Sequence, residues 1–295
     1  MSTSAPSNSL RISHHPIRSI PVSRVRALCE VFAACHDAPS LDAFVRELGR
    51  KSSVILISGA ADGRIVGFVT QTVTRIQVDG QALICVLNDD AVVLPAWRAA
   101  ADAYAMADVG HATRWTLTKL KLRHPMTPVY WCQLARHVRS YLLMADHARQ
   151  PFPGAGTHES AQRRIAQRLG KALLGDDFDS RKMLLHKHGQ EGAHPHAQDA
   201  GTTGMRPDDP RMALFQKWNP YWRRGSALLC VSAFDLPSMA AALQSGSWQW
   251  FRRRVLRNYP PHLAGSTSTA RATSQQQASW QDSSLDEALE RGETS

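Results

Sequence analysis

The chain has 295 residues, 43% of them hydrophobic and 20% charged, enough for one large domain or two small ones around a substantial core. No apolar run approaches the ~18 residues needed to span a bilayer, which excludes a helical membrane protein. The formal charge of +10 and pI near 9.8 suit an anionic partner such as nucleic acid, anionic lipid or a nucleotide cofactor, but Arg11, Arg18, Arg24 and Arg26 precede the first acid, Glu30, and carry part of the excess.

Residues 1–21 read as a disordered leader: they lack the apolar segment of a secretory signal, and Pro6, Pro16 and Pro21 would break a helix. From Val22 to Cys35, Val25, Leu28, Val31 and Phe32 recur at helical spacing. Ser40 is placed to cap a second helix, Leu41 to Arg50. Three β-rich runs follow, Val54–Ser58, Ile65–Val78 and Ala82–Leu87, parted by Asp62-Gly63 and Asp79-Gly80. Asp-Gly accepts the positive φ of tight hairpin turns, so the runs predict an antiparallel meander.

Asn88-Asp89-Asp90 then leads to Pro95, whose fixed φ suits the first turn of a helix reaching about Met106. Asp108–Pro128 is polar and predicts part helix, part loop. Pro128–Leu134 predicts a strand, and Arg139–Met144 fits strand or helix equally. Beyond Pro151-Phe-Pro153-Gly154 the pattern gives a helix over Glu159–Leu174 stopped by Gly175, a short strand at Met183–His186 and a loop over His188–Pro207. A helix over Asp208–Lys217, a strand over Ala227–Ala233 and a helix over Pro237–Asn258 capped by Asp235 complete it. The expected organisation is a leader (1–21), a core (22–153), an extension packed on that core (154–263) and a disordered tail (264–295).

The five cysteines, Cys29, Cys35, Cys85, Cys132 and Cys230, are odd in number and lack CxxC spacing. They read as reduced thiols of a cytoplasmic protein. His186-x-His188 and His194-x-His196 have no carboxylate or Cys at ligand spacing, so no metal is expected. Trp248, Trp250, Phe251 and Arg252–Arg254 read as an amphipathic helix face, with single-stranded nucleic acid as the alternative ligand.

Helical cover, a meander, a Pro-led helix and a further strand make an element order that resembles the GNAT superfamily of acyl-CoA-dependent N-acyltransferases over roughly residues 20–150. Val93-Leu94-Pro95 matches that family's hydrophobic-Pro segment, and Arg98-Ala99-Ala100-Ala101-Asp102-Ala103 stands where it carries Q/R-x-x-G-x-G/A. Val66-Gly67-Phe68, Ala96-Trp97 and Val129-Tyr130-Trp131 are similar to a group of bacterial GNAT-like proteins. The resemblance implies an α/β fold with a mixed, mostly antiparallel sheet flanked by helices, and acetyl-CoA or another acyl-CoA as co-substrate.

Unpaired N–H groups at a helix start attract a pyrophosphate, so the resemblance assigns Val93, Leu94, Arg98, Ala99, Ala101 and Ala103 to the cofactor. Ala101 departs from the family's central glycine. Acyl transfer to an amine needs a base and an acid for the leaving thiolate. Asp89 and Asp90, at a strand end, are the candidate bases, with a turn as their plain alternative. Tyr141 is the candidate acid, with Tyr130 a second, and a buried core tyrosine is the plain reading of each. His137 could be a base or a phosphate contact. The implied function is acyl transfer to an amine of a small molecule. The alternatives are a non-catalytic binding or accessory protein on the same fold, which Ala101 favours, and a basic nucleic-acid binder, which rests on charge alone. Acyl length, acceptor and oligomeric state are not written in the sequence.

Overall fold

The computed structural model describes residues 10–36, 39–89, 91–154, 159–185 and 209–244. Strands β1 (Leu10–Pro16), β2 (Ser53–Gly59), β3 (Ile65–Val78), β4 (Gln81–Asn88), β5 (Val92–Val93), β6 (Val129–Ala135), β7 (Phe178–Asp179), β8 (Leu184–Leu185) and β9 (Ala227–Ala233) form one sheet. Its order is β1-β2-β3-β4-β6-β9-β8-β7, with β5 paired to β3. All pairings are antiparallel except β4 with β6.

The meander forms as the sequence predicts. Asp79 and Gly80 both take positive φ (52° and 77°), closing the tight turn between Val78 and Gln81. β2 is apolar from Val54 to Ile57 because both its faces are covered there. Val54 and Leu56 meet α1 (Val22–Ala33) and α2 (Leu41–Gly49), whereas Ile55 and Ile57 meet α3 (Arg98–Tyr104) and α4 (Met106–Arg123). Ser40 caps α2 as expected, its hydroxyl accepting from the Ala43 N–H at 3.2 Å.

Two expectations are corrected. Residues 10–16, placed in a disordered leader, are the edge strand β1, paired with β2 from Leu10↔Gly59 to Pro16↔Ser53. An edge strand needs little apolar content, and Ile12 is its buried hydrophobe, so Arg, Ser and Pro masked it. The polar stretch from Asp108 is part helix and part loop, as expected: α4 is an 18-residue helix ending at Arg123, and a loop leads to β6. The buried face of α4 combines Val109, Ala112, Leu117 and Leu120 with Thr113, Thr116 and Thr118, and the three threonines donate to carbonyls four residues back at 3.1, 3.3 and 2.8 Å. Satisfied in this way, hydroxyls can be buried beside apolar side chains. The segment after residue 153, expected as an extension packed on the core, instead completes the sheet, because β9 lies beside β6 in register Tyr130↔Ala233 to Ala135↔Leu228.

The ambiguous segment around Arg139 is helix α5 (Val138–His147), followed by α6 (Glu159–Leu174), α7 (Pro210–Trp218) and α8 (Leu236–Ala242). Asp235 caps α8, accepting from the Ser238 N–H at 2.8 Å. Among the described residues no helix is long and apolar enough to cross a membrane. The His186–His196 pattern and the Trp248–Arg254 cluster lie outside the described residues.

His111 on α4 and His147 on α5 meet edge to face at 5.2 Å. Burial, then the neighbouring His147 and Arg114 charges, pushes His111 down to about 4, and burial likewise lowers His147. A histidine whose pKa is depressed on folding contributes stability that is complete above the unfolded value of about 6.5 and is lost as pH falls through the folded one. Thermal melts should therefore show stability falling from pH 6.5 towards 4, with a shallower fall in His111→Gln. Equal slopes in the two proteins would refute this assignment.

Candidate functional site

The site begins with a bulge. Strands β3 and β4 pair in register up to Gln71↔Asn88, but the next pairs are Phe68↔Val92 and Gly67↔Val93. The register thus slips by one residue between the two ladders, with Val69 and Thr70 at the break on the β3 side. A side chain at Gly67 would place its Cβ 2.8 Å from the Val92 carbonyl oxygen and 2.9 Å from Val93 Cγ2, so the close approach of β5 requires glycine. Before the bulge a buried polar network fixes the register: Ser53 Oγ donates to Gln71 Oε1 (3.1 Å), and Gln71 Nε2 donates to Asn88 Oδ1 (2.9 Å) and Thr113 Oγ1 (3.2 Å). Asn88 Nδ2 also donates to Thr113 (2.9 Å).

The parallel ladder of β4 with β6 ends at Asn88↔Gln133, just where the bulge begins, while β6 continues to Ala135 along β9. The two parallel strands part at this point. A cavity of about 680 Å³ opens there. One wall comes from α1 and α2 (Phe32, Cys35, Phe44), the middle from Asp89, Val92, Val93 and Gln133, and the other wall from Arg98, Arg136 and Arg139. Arg136 Nη1 donates to the Gly225 carbonyl at 3.1 Å, and Arg139 is ion-paired with Asp102.

Asp89 lies at the bulge and lines the cleft. Its Oδ2 accepts from Thr70 Oγ1 at 2.7 Å and meets Lys51 Nζ at 3.0 Å, and Lys51 also reaches Glu47 at 3.2 Å. Burial pulls the Lys51 pKa down, but Asp89 and Glu47 outweigh it and the net shift is upward. Asp90 lies outside the described residues. Gln133 Nε2 donates to the Asp89 carbonyl at 3.3 Å, and its Oε1, in a residue 1% exposed, has no donor among the described residues.

Pro95–Trp97 form a 3-10 turn that runs into α3, with the Trp97 N–H bonded to the Leu94 carbonyl at 2.9 Å. Arg98 starts α3, faces the cleft and donates from Nε to the Val93 carbonyl at 3.4 Å. The same carbonyl accepts from the Cys35 thiol at 3.3 Å, and burial raises the Cys35 pKa against the opposing effect of Arg98. Leu94 packs between the cores on the two sides of the sheet. Ala99 is exposed, and Ala101 is buried in the core between α3 and the sheet. Ala103 is a position on α3.

Tyr141 is a correction. It lies on the buried side of α5, its hydroxyl donates to the Pro153 carbonyl at 3.0 Å, and its ring packs on Phe215 at 5.8 Å. Burial pushes its pKa up to about 12. It is not among the residues lining the cleft, where α5 contributes Arg139, Ser140 and Leu143 and His137 stands at its N-cap. Tyr130 is half-buried, and burial with the neighbouring Cys85 raises its pKa. Sequence reasoning missed Lys51, Arg136 and Gln133; a glutamine inside the apolar run VYWCQLA was the available signal for the last.

The fold these elements define is α/β, with a mixed, mostly antiparallel sheet flanked by helices. No protein-family model matches the chain, and no curated protein matches it. Among solved structures it is similar to a provisionally assigned acetyltransferase from Deinococcus radiodurans R1 (19% identity over 34% of this chain and 62% of that one, TM-score 0.22). It is also similar to a GCN5-related N-acetyltransferase from Sphaerobacter thermophilus (17% identity over 50% of this chain and 45% of that one, TM-score 0.29). The chain thus spans less than two thirds of either structure.

Proposed function

We propose that the chain is an acyl-CoA-dependent acyltransferase that acylates an amine of a small molecule in the cytoplasm. The observation that carries this reading is the bulge between Asn88 and Val92, which ends the β4–β6 ladder and opens the sheet between two parallel strands. Apolar walls at Val92, Val93 and Leu143 suit a pantetheine arm, and the guanidiniums of Arg98 and Arg136 suit its phosphates. A bound acyl-CoA supplies the thioester carbonyl that an amine attacks.

Asp89 is the base that this geometry offers. It is fixed by Thr70 and Lys51 at the mouth of the opening. As the C–N bond forms and the C–S bond breaks, its carboxylate takes the amine proton and can return it to the departing sulfur. The Tyr141 hydroxyl is engaged by the Pro153 carbonyl on the buried side of α5, which supports, as a second reading, a binding protein that transfers nothing. Calorimetry with acetyl-CoA and a longer acyl-CoA tests the shared premise, and binding of neither overturns both readings. Release of free CoA thiol on adding an amine panel then separates the enzyme from the binder.

A further inference from the structure

A second cavity, of about 260 Å³, lies between α4, α5, α8 and the ends of β6 and β9, and shares no lining residue with the cleft. Arg114 and Trp131 line it. Arg114 of α4 is only 7% exposed, and its guanidinium makes no hydrogen bond or ion pair among the described residues. Trp131 of β6 is 1% exposed, and its indole Nε1–H has no acceptor among them. Buried polar groups are almost always satisfied, and a buried charge without a counter-ion is rarer still.

The surroundings are deficient in negative charge. Arg149 and His147 also line the cavity, and its one acid among the described residues, Asp146, is ion-paired with Arg211. Burial lowers the Arg114 pKa, and the Arg114 charge helps to lower His111 and His147, as expected of a cation with no anion beside it. The Ser232 and Ser238 side chains border the same space, and Ala148, Ala233 and Phe234 give it an apolar part too large for an inorganic ion to fill.

We propose that this cavity is a binding site for a small organic carboxylate, whose oxygens accept from the Arg114 guanidinium while its apolar body packs on Phe234 and beside the Trp131 ring. A planar guanidinium presents paired N–H groups that match a carboxylate.

Benzoate is the probe, and the Trp131 indole N–H resonance, assigned by its loss in Trp131→Phe, is the readout. The expected result is a saturable shift with benzoate and none with neutral benzamide. Arg114→Met should weaken benzoate at least tenfold. Should that variant unfold, Ala241→Phe, at an exposed position of α8 bordering the cavity, keeps Arg114 in place and should block binding by occupying the space. No shift with benzoate, an equal shift with benzamide, a shift with phosphate alone, or full binding in Ala241→Phe would each overturn the proposal.

Discussion

Arg98→Glu is expected to weaken acetyl-CoA binding at least a hundredfold by calorimetry, with the fold unchanged by circular dichroism. Arg98 begins α3, lines the cleft and donates to the Val93 carbonyl at 3.4 Å, so the substitution removes a cation and its anchoring bond together and introduces repulsion towards a diphosphate. Losing one partner of a hydrogen-bonded charge pair in a partly buried site costs about 2–5 kcal/mol, roughly 30- to 4,000-fold. Arg46→Glu changes the net charge equally from an exposed position on α2 and should leave binding within a factor of two. Equal affinities in Arg98→Glu and the parent chain would remove the phosphate role from this helix start.

Gly67→Ala is the second large effect. The added methyl meets the backbone oxygen of Val92 at 2.8 Å and Val93 Cγ2 at 2.9 Å, and a main-chain atom cannot move aside as a flexible side-chain end can. Relief requires β5 to lift off β3, which would erase the pairing on the far side of the bulge. Overpacking of this kind costs about 1–3 kcal/mol, which in a chain of this size lowers the melting temperature by about 3–10 °C. Acyl-CoA binding should fall with it, because the opening between β4 and β6 depends on the bulge. Gly49→Ala is the matched control: Gly49 is the last residue of α2, nothing lies within 4 Å of its added methyl, and the variant should melt at or slightly above the parent temperature. If Gly67→Ala melts like the parent chain and binds equally, the bulge is not held by this contact.

The sequence spoke clearly where local chemistry has one solution. Asp79-Gly80 permits one kind of turn, Ser40 and Asp235 sit at helix starts with their acceptors ready, and Ala227–Ala233 is apolar enough to be a covered strand. It misled where little burial was needed, as in β1. Tyr141 was placed by its distance along the chain, but a helix turns 100° per residue, and that rotation directs it at Phe215 while Ser140 borders the cleft. Lys51 and Asp89 could not be paired from sequence because only the folded meander brings a residue before β2 beside one after β4.

The place of β9 in the sheet has a consequence for the order of events during synthesis. β6 is finished at residue 135, but the strand that pairs its second edge is not made until residues 227–233. Until then Tyr130–Ala135, an apolar and largely buried run in the finished protein, presents a row of unpaired N–H and C=O groups. Pairing across so many intervening residues closes a large loop and is intrinsically slow. The first 153 residues, which contain the whole proposed cofactor motif, are therefore a fragment with an open, adhesive edge, and this edge is covered only when β9 arrives.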